Sequence, residues 1–226
     1  MSAFGAPPDE IDNVHETIYR IGGAFFGTYW RPESKRILDI GAYNVNGTLR
    51  DFCPKDAEYV GLDLGPGPGV DIVLDDPHTY PFPDGHFDAV VSSSCFEHDP
   101  MFWLTFGECC RVLSPTGALY INAPSGGVYH PYSCDFWRFY PDAGIALELW
   151  GRRSGHDIRL VESFIDYWGP LTDARWNDFT AVFTKDPNLN PSPALWEQFP
   201  NCSDVHVGSA SALTKPKLNA HPDQSA

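Results

Sequence analysis

Two acids and two histidines stand out by their spacing in this chain. Asp39 and Gly41 end the short apolar run Ile37 to Ile40, and Asp63 ends the next run, Tyr59 to Asp63. An acid about twenty residues beyond a Gly turn is where a βαβ nucleotide site grips ribose hydroxyls. His98 stands in Phe96-Glu97-His98-Asp99, just after a fourth apolar run. His130 lies in an irregular aromatic segment, Pro124 to Tyr140, with Tyr132, Asp135, Trp137 and Arg138 around it. A neutral imidazole is tuned to accept a proton near pH 7. His130 is the first candidate base, because it sits beside Asp135 on a segment that can overhang a strand end; His98 is the second.

The turn narrows the choice of cofactor. A dinucleotide fingerprint places Gly at the first, third and sixth positions so that backbone can approach a pyrophosphate. Here Gly41 holds the first, but Tyr43 and Asn46 hold the other two. No Gly-Lys-Ser or Gly-Lys-Thr occurs, so there is no Walker loop. S-adenosylmethionine (SAM) carries a carboxylate, an ammonium and a ribose but no phosphate, and suits a single Gly with Asp39. The turn is expected to lead into a helix around Asn46 to Phe52, whose free N–H groups and dipole favour an anionic group.

Five motifs then occur in order: Asp39-Ile40-Gly41, Gly61-Leu62-Asp63, Tyr80 to Asp88 with its Pro83-Asp84-Gly85 turn, Phe96-Glu97-His98, and Arg111-Val112-Leu113-Ser114-Pro115-Thr116-Gly117. Together they resemble the successive motifs of class I SAM-dependent methyltransferases over residues 35 to 185. The resemblance implies a SAM site built from Asp39, Gly41, Ala42, Tyr43, Asn46, Asp63, Leu64, Asp76, Ser94 and Cys95. Asp63 would hold the ribose, and Asp76 would accept from the adenine amino group unless it only makes an Asx turn before Pro77. Two departures stand out. Tyr43 and Val45 occupy places where the family usually has Gly, and Tyr43 would instead cover the methionine end of the cofactor. The connection Leu64 to Gly69 is too short for a crossover helix, so the third strand, Asp71 to Leu74, reads as a short edge piece. Small members of the family with a similar His…Asp-x-Trp-Arg segment imply a sugar or natural-product acceptor. Tyr132, Asp135, Trp137 and Arg138 would shape its pocket, with Trp137 as platform and Arg138 as clamp. The plainer alternative pairs Arg138 with Asp135 and uses Phe136 and Phe139 to cover the loop.

The elements that position these residues alternate strand and helix. The fold class is α/β: a Rossmann-like, seven-stranded, mostly parallel sheet with helices on both faces and, as the resemblance implies, an antiparallel strand seven. Helical spacing from Asp12 to Tyr29 suggests a flap or a helix packed on the sheet. Asp99 and Pro100 read as the start of a helix through Val112. The expected organisation is an N-terminal segment (1–34), a SAM-binding domain (35–185) and a mostly disordered C-terminal tail (186–226), in which Leu195, Trp196 and Phe199 are possible anchors.

Composition sets outer bounds. With 226 residues, 42% of them hydrophobic, the chain can bury one core. A formal charge of −15 argues against nucleic acid and anionic membranes as partners. The absence of a long apolar run or a basic-then-apolar start suggests a cytoplasmic protein. The six cysteines show no Cys-x-x-Cys spacing. Glu97-His98-Asp99 invites a metal, but adjacent side chains diverge, so no metal site is expected. The competing functional class is a non-catalytic SAM-fold protein that binds a partner.

Overall fold

The computed structural model describes residues 8–45, 47–131, 133–167 and 177–208, with residues 8–18 described by backbone only. Asn46, Tyr132, Trp176 and the last part of the tail lie outside the described residues, as do the side chains of the first half of the N-terminal helix.

Eight strands form one sheet: β1 (Arg36–Ile40), β2 (Glu58–Asp63), β3 (Ile72–Val73), β4 (Phe87–Ser93), β5 (Leu113–Pro124), β6 (Arg159–Tyr167), β7 (Asn177–Thr184) and β8 (Cys202–Val207), in the order β3-β2-β1-β4-β5-β7-β6-β8. The first five run parallel, and β7 inserts antiparallel between β5 and β6. The expected architecture is thus present, with one strand more. Side chains alternate across the sheet. Leu38, Ile40 and Val90 face a core shared with α2 (Phe102–Val112) and α3 (Asp142–Arg153), while Ile37, Val91 and Tyr120 face α1 (Pro8–Tyr29).

Three expectations are corrected. The helix after β1 is only a 3-10 turn, Leu49–Phe52, capped by the Thr48 hydroxyl accepting from the Arg50 amide. Pro54 stops it, and α1 fills the space beside it. A Cβ on Gly22 would lie 2.2 Å from Leu49 and one on Gly23 2.7 Å from Phe52. These two glycines let the turn press into the helix. Second, α2 begins at Phe102 with Met101 at the N-cap, and Asp99 lies three residues before the helix, its Oδ1 accepting from the Met101 amide and its Oδ2 from the Thr105 hydroxyl.

Third, residues 186–208 of the expected tail carry a 3-10 turn, Trp196–Gln198, and the strand β8. Buried Glu162 on β6 accepts the backbone N–H groups of Leu195 and Trp196 and the hydroxyl of Tyr29. Leu195 and Phe199 are buried, and β8 pairs antiparallel with β6. A polar composition concealed an anchor made by one internal carboxylate. The loop to β3 carries no helix, and β3 is a two-residue edge piece, as its length required.

Candidate active site

The carboxyl ends of β1, β2 and β4 meet at Gly41. This residue has φ +77°, and a Cβ on it would lie 2.6 Å from the Cys95 Cβ. Only glycine fits both the left-handed backbone and that contact. Ser94, between β4 and Cys95, also has a positive φ of 51° and donates its N–H to Asn122. A non-Gly residue held there marks a local strain typical of functional loops.

The turn consumes its own donors. The Gly41 and Ala42 N–H groups both reach the Leu62 carbonyl at 3.0 Å, and that of Asn44 reaches Pro68 at 2.8 Å. The Tyr43 N–H donates to Asp63 Oδ2 at 3.2 Å. The expectation of outward N–H groups and a helix dipole is therefore corrected, since the chain closes on β2 and no helix follows. Asp63 also accepts from Leu64 at 2.7 Å and Gly65 at 3.3 Å. A carboxylate offers about four acceptor positions, so a ribose hydroxyl can still be held. Asp39 lies buried behind the turn, bonded to the Tyr59 hydroxyl at 2.7 Å. Burial pushes its carboxyl up to about 7 against the opposing pull of the Tyr59 hydrogen bond. Two acids beside strand tips, with the amides of residues 41 to 44 all bonded within the chain, fit a cationic nucleoside such as SAM by the chemistry of the donor set.

Three other residues expected at the cofactor have the following surroundings. The Tyr43 ring lies against Gly67, on the loop after β2. Leu64 is exposed. Asp76 accepts from the His78 amide at 2.9 Å and the Thr79 hydroxyl at 3.0 Å, the Asx-turn alternative, and these bonds hold its carboxyl below its ordinary range.

Across the crevice, the segment after β5 folds over the end of β4. Phe136 and Trp137 donate their N–H groups to the Glu97 carbonyl. Arg138 forms a bidentate pair with Asp135, at 2.5 and 2.7 Å, and also donates to Val128 and Trp137 carbonyls. The Arg138 hydrogen bonds hold the Asp135 carboxyl well below its usual range. Arg138 is therefore engaged inside its own loop. Trp137 donates its indole N–H to the Asp99 carbonyl and packs edge-on to Phe102 and Trp103, yet stays 37% exposed. Phe139 is buried, whereas Phe136, Tyr129 and Tyr140 are exposed and form an apolar lip.

His130 stands in this loop with Nδ1 3.2 Å from the Val128 carbonyl and 3.3 Å from Asp135. Its ring lies edge-on to that of His98, 5.2 Å between centroids. His98 Nδ1 contacts the Cys134 carbonyl, and its Nε2 is 3.6 Å from Glu97 Oε1. Glu97 is 1% exposed, and burial pushes its carboxyl up to about 8. The sequence places Glu97 in a motif and offers it only as a metal ligand beside His98 and Asp99, a reading it does not favour. The clue was an acid flanked by Phe96 and His98 at a strand end.

The comparisons with known proteins agree with this geometry. The profile of a family described as a methyltransferase domain matches residues 33–121. The chain is 35% identical over 106 residues to a fatty-acid O-methyltransferase of Mycolicibacterium smegmatis, covering 40% of this chain and 38% of that protein. It is 33% identical over 129 residues to a demethylmenaquinone methyltransferase of Thermus thermophilus, covering 49% and 58%. The matched segments thus span less than two thirds of these relatives. The structure of a SAM-dependent methyltransferase from Archaeoglobus fulgidus shares the fold, with a TM-score of 0.56 at 16% identity over 74% of this chain and 93% of that one. No described helix is long and apolar enough to cross a membrane. With the Gly41 turn, the acid ending β2 and the sheet order all in place, residues 33–121 match a methyltransferase domain and share the fold of SAM-dependent methyltransferases.

Proposed function

We propose that this protein transfers a methyl group to a hydroxyl oxygen of a small-molecule acceptor, a sugar or natural product with an apolar face. When bound, SAM supplies a methyl group made electrophilic by its sulfonium. Asp63 holds the ribose with its remaining acceptor capacity, and Gly41 and Cys95 fix how closely the tips of β1 and β4 approach. His130 takes the hydroxyl proton. Its Nδ1 faces two acceptors, the Val128 carbonyl and Asp135, and the Arg138 guanidinium 3.3 Å away is itself bonded to both of these, which favours an Nδ1–H tautomer and leaves Nε2 as the base. Asp135 orients the imidazole as a carboxylate does in a hydrolase triad. Asp135 and Arg138 act as loop holders, while Trp137, Phe136 and Tyr140 present the acceptor surface. The named activities of the relatives, on a fatty acid and on demethylmenaquinone, lend support to an apolar acceptor.

The observation that carries this reading is that the Gly41 turn packs on Cys95 at the end of β4, three residues before His98, whose ring lies edge-on to His130. A second reading, a partner-binding protein without turnover, draws on the self-satisfied turn. Calorimetry with SAM and S-adenosylhomocysteine separates the two. Binding in the micromolar range is expected, and no binding at high micromolar ligand leaves only the second. His130→Ala should lower methyl transfer by 10²-fold or more, the usual scale for a lost general base, while sparing S-adenosylhomocysteine affinity. Full activity would remove His130 as the base.

A further inference from the structure

Glu97, His98 and His130 form a three-donor cluster whose ligand atoms all lie within 4.8 Å of one another. They come from two places in the chain, the turn after β4 and the loop after β5. In the sequence, Glu97-His98-Asp99 is a poor ligand set because adjacent side chains diverge. The fold replaces Asp99, whose carboxylate is engaged with His78, Met101 and Thr105, by His130.

We propose that this cluster binds one divalent transition-metal ion of the zinc, cobalt or manganese type. Each donor is prepared from behind. His98 Nδ1 faces the Cys134 carbonyl, so its proton resides there and Nε2 presents a lone pair. His130 Nδ1 faces the Val128 carbonyl and Asp135, with the same result for its Nε2. Arg138 also lies 3.3 Å from that Nδ1, but it is already committed to Asp135 and Val128. Backbone carbonyls and carboxylates behind histidine ligands are the usual second layer of a metal site, fixing tautomer and ring orientation.

Glu97 is the independent sign. It is buried, and neither of its carboxylate oxygens has a hydrogen-bond partner among the described residues. The 3.6 Å from His98 Nε2 is too long for a hydrogen bond. Two imidazole nitrogens and a buried carboxyl thus converge on one point, an arrangement that a cation suits. An ion held about 2.0–2.2 Å from each donor draws them to roughly 3–3.5 Å apart. That asks for a contraction of about an ångström, which the part-exposed imidazoles can supply by small χ rotations. Two imidazoles and one carboxylate suit zinc, cobalt, iron or manganese rather than calcium or magnesium, and three protein ligands leave positions open.

The consequence for catalysis rests on the methyl-transfer reading above; the binding does not. An acceptor hydroxyl on an open position of the ion would lose its proton to solvent near neutral pH, as metal-bound water does. In the metal-free protein His130 Nε2 is the base itself; in the metal-loaded protein it would act through the ion, as a ligand.

The test uses the full chain freed of metal with a chelator and dialysed. Titration with Zn²⁺ by calorimetry should give one ion per chain. Co²⁺ should give visible absorption bands together with two paramagnetically shifted Nδ1–H proton resonances, one from each histidine. Glu97→Gln, His98→Ala and His130→Ala should each weaken Zn²⁺ at least tenfold, with melting temperature as the control for folding. Absence of binding, or equal affinity in the three variants, overturns the site. If a variant fails to fold, the two shifted histidine protons in the wild type decide alone, and their absence overturns it. S-adenosylhomocysteine titrated on the same metal-free sample keeps the readings apart. Zinc binding without nucleoside binding supports the site and sinks the methyl-transfer role, and the reverse result does the opposite.

Discussion

The two rims of the crevice satisfy their polar groups in opposite ways. On the β1–β2 rim, the amides of residues 41 to 44 spend themselves on Leu62, Asp63 and Pro68. On the β4–β5 rim, the Glu97 carboxylate is sealed from water with neither oxygen bonded among the described residues. A rim that has closed on itself positions a ligand by shape and by its spare acceptors. One that keeps a buried carboxylate unbonded retains a cost of about 1–3 kcal/mol or more, which persists where a ligand, proton or ion completes the site. The first rim thus reads as scaffold and the second as chemistry.

The largest expected effect falls on the scaffold. Gly41→Ala must hold φ +77° and force a Cβ to 2.6 Å from Cys95. Backbone strain of about 1–2 kcal/mol adds to an overpacking term of about 1–3 kcal/mol. Melting temperature should fall steeply. Pairing the change with Cys95→Gly in a double-mutant cycle should return the steric part and leave the backbone part. A coupling near zero would show that the two strand tips do not lean on each other.

Asp39 gives the next effect, and its sign is unusual for an aspartate. Its folded-state value of about 7 lies above the ordinary 3.8. The native state therefore holds the proton more tightly, and the group subtracts stability as pH rises from about 4, the full loss being reached above about 7. Asp39→Asn keeps an acceptor for the Tyr59 hydroxyl and removes the titration. The variant should match the wild type near pH 4 and exceed it at pH 8 by on the order of 2 to 4 kcal/mol. Denaturant melts at the two pH values measure this directly. A variant less stable at pH 8 would mean that the ionised carboxylate is held by more than Tyr59.

Most of the scaffold was legible because buried parallel strands read as continuous apolar runs and Gly turns mark their ends. The antiparallel β7 came from the resemblance, and the missing crossover helix came from counting Leu64 to Gly69. What stayed hidden depends on contacts far apart in the chain. Glu162 reaches the Leu195 amide 33 residues away, so β8 could not be foreseen from a polar tail. The His98 ring meets Cys134 36 residues on, so His130 and Glu97 could not be joined from spacing. The failed helix after β1 had a local cause, Pro54, and a distant one, the Gly22-Gly23 step of α1 that admits Leu49 and Phe52.

The smallest and sharpest contrast lies within the scaffold rim, between Asp63 and Tyr43. Asp63 has acceptor capacity left after three amides, while the Tyr43 ring rests on Gly67 and spends its area on the β2–β3 loop. Losing a carboxylate that receives ligand hydroxyls removes roughly 1.5–3 kcal/mol, which is about 10- to 150-fold in affinity. Asp63→Ala should therefore weaken S-adenosylhomocysteine by at least tenfold in calorimetry. Tyr43→Ala keeps the backbone amide that bonds Asp63 and removes only the ring, so its affinity should change by less than about threefold, within 1 kcal/mol. If the order were reversed, the ring would be the ligand contact and Asp63 a loop cap, and the ribose would have to be sought away from the end of β2.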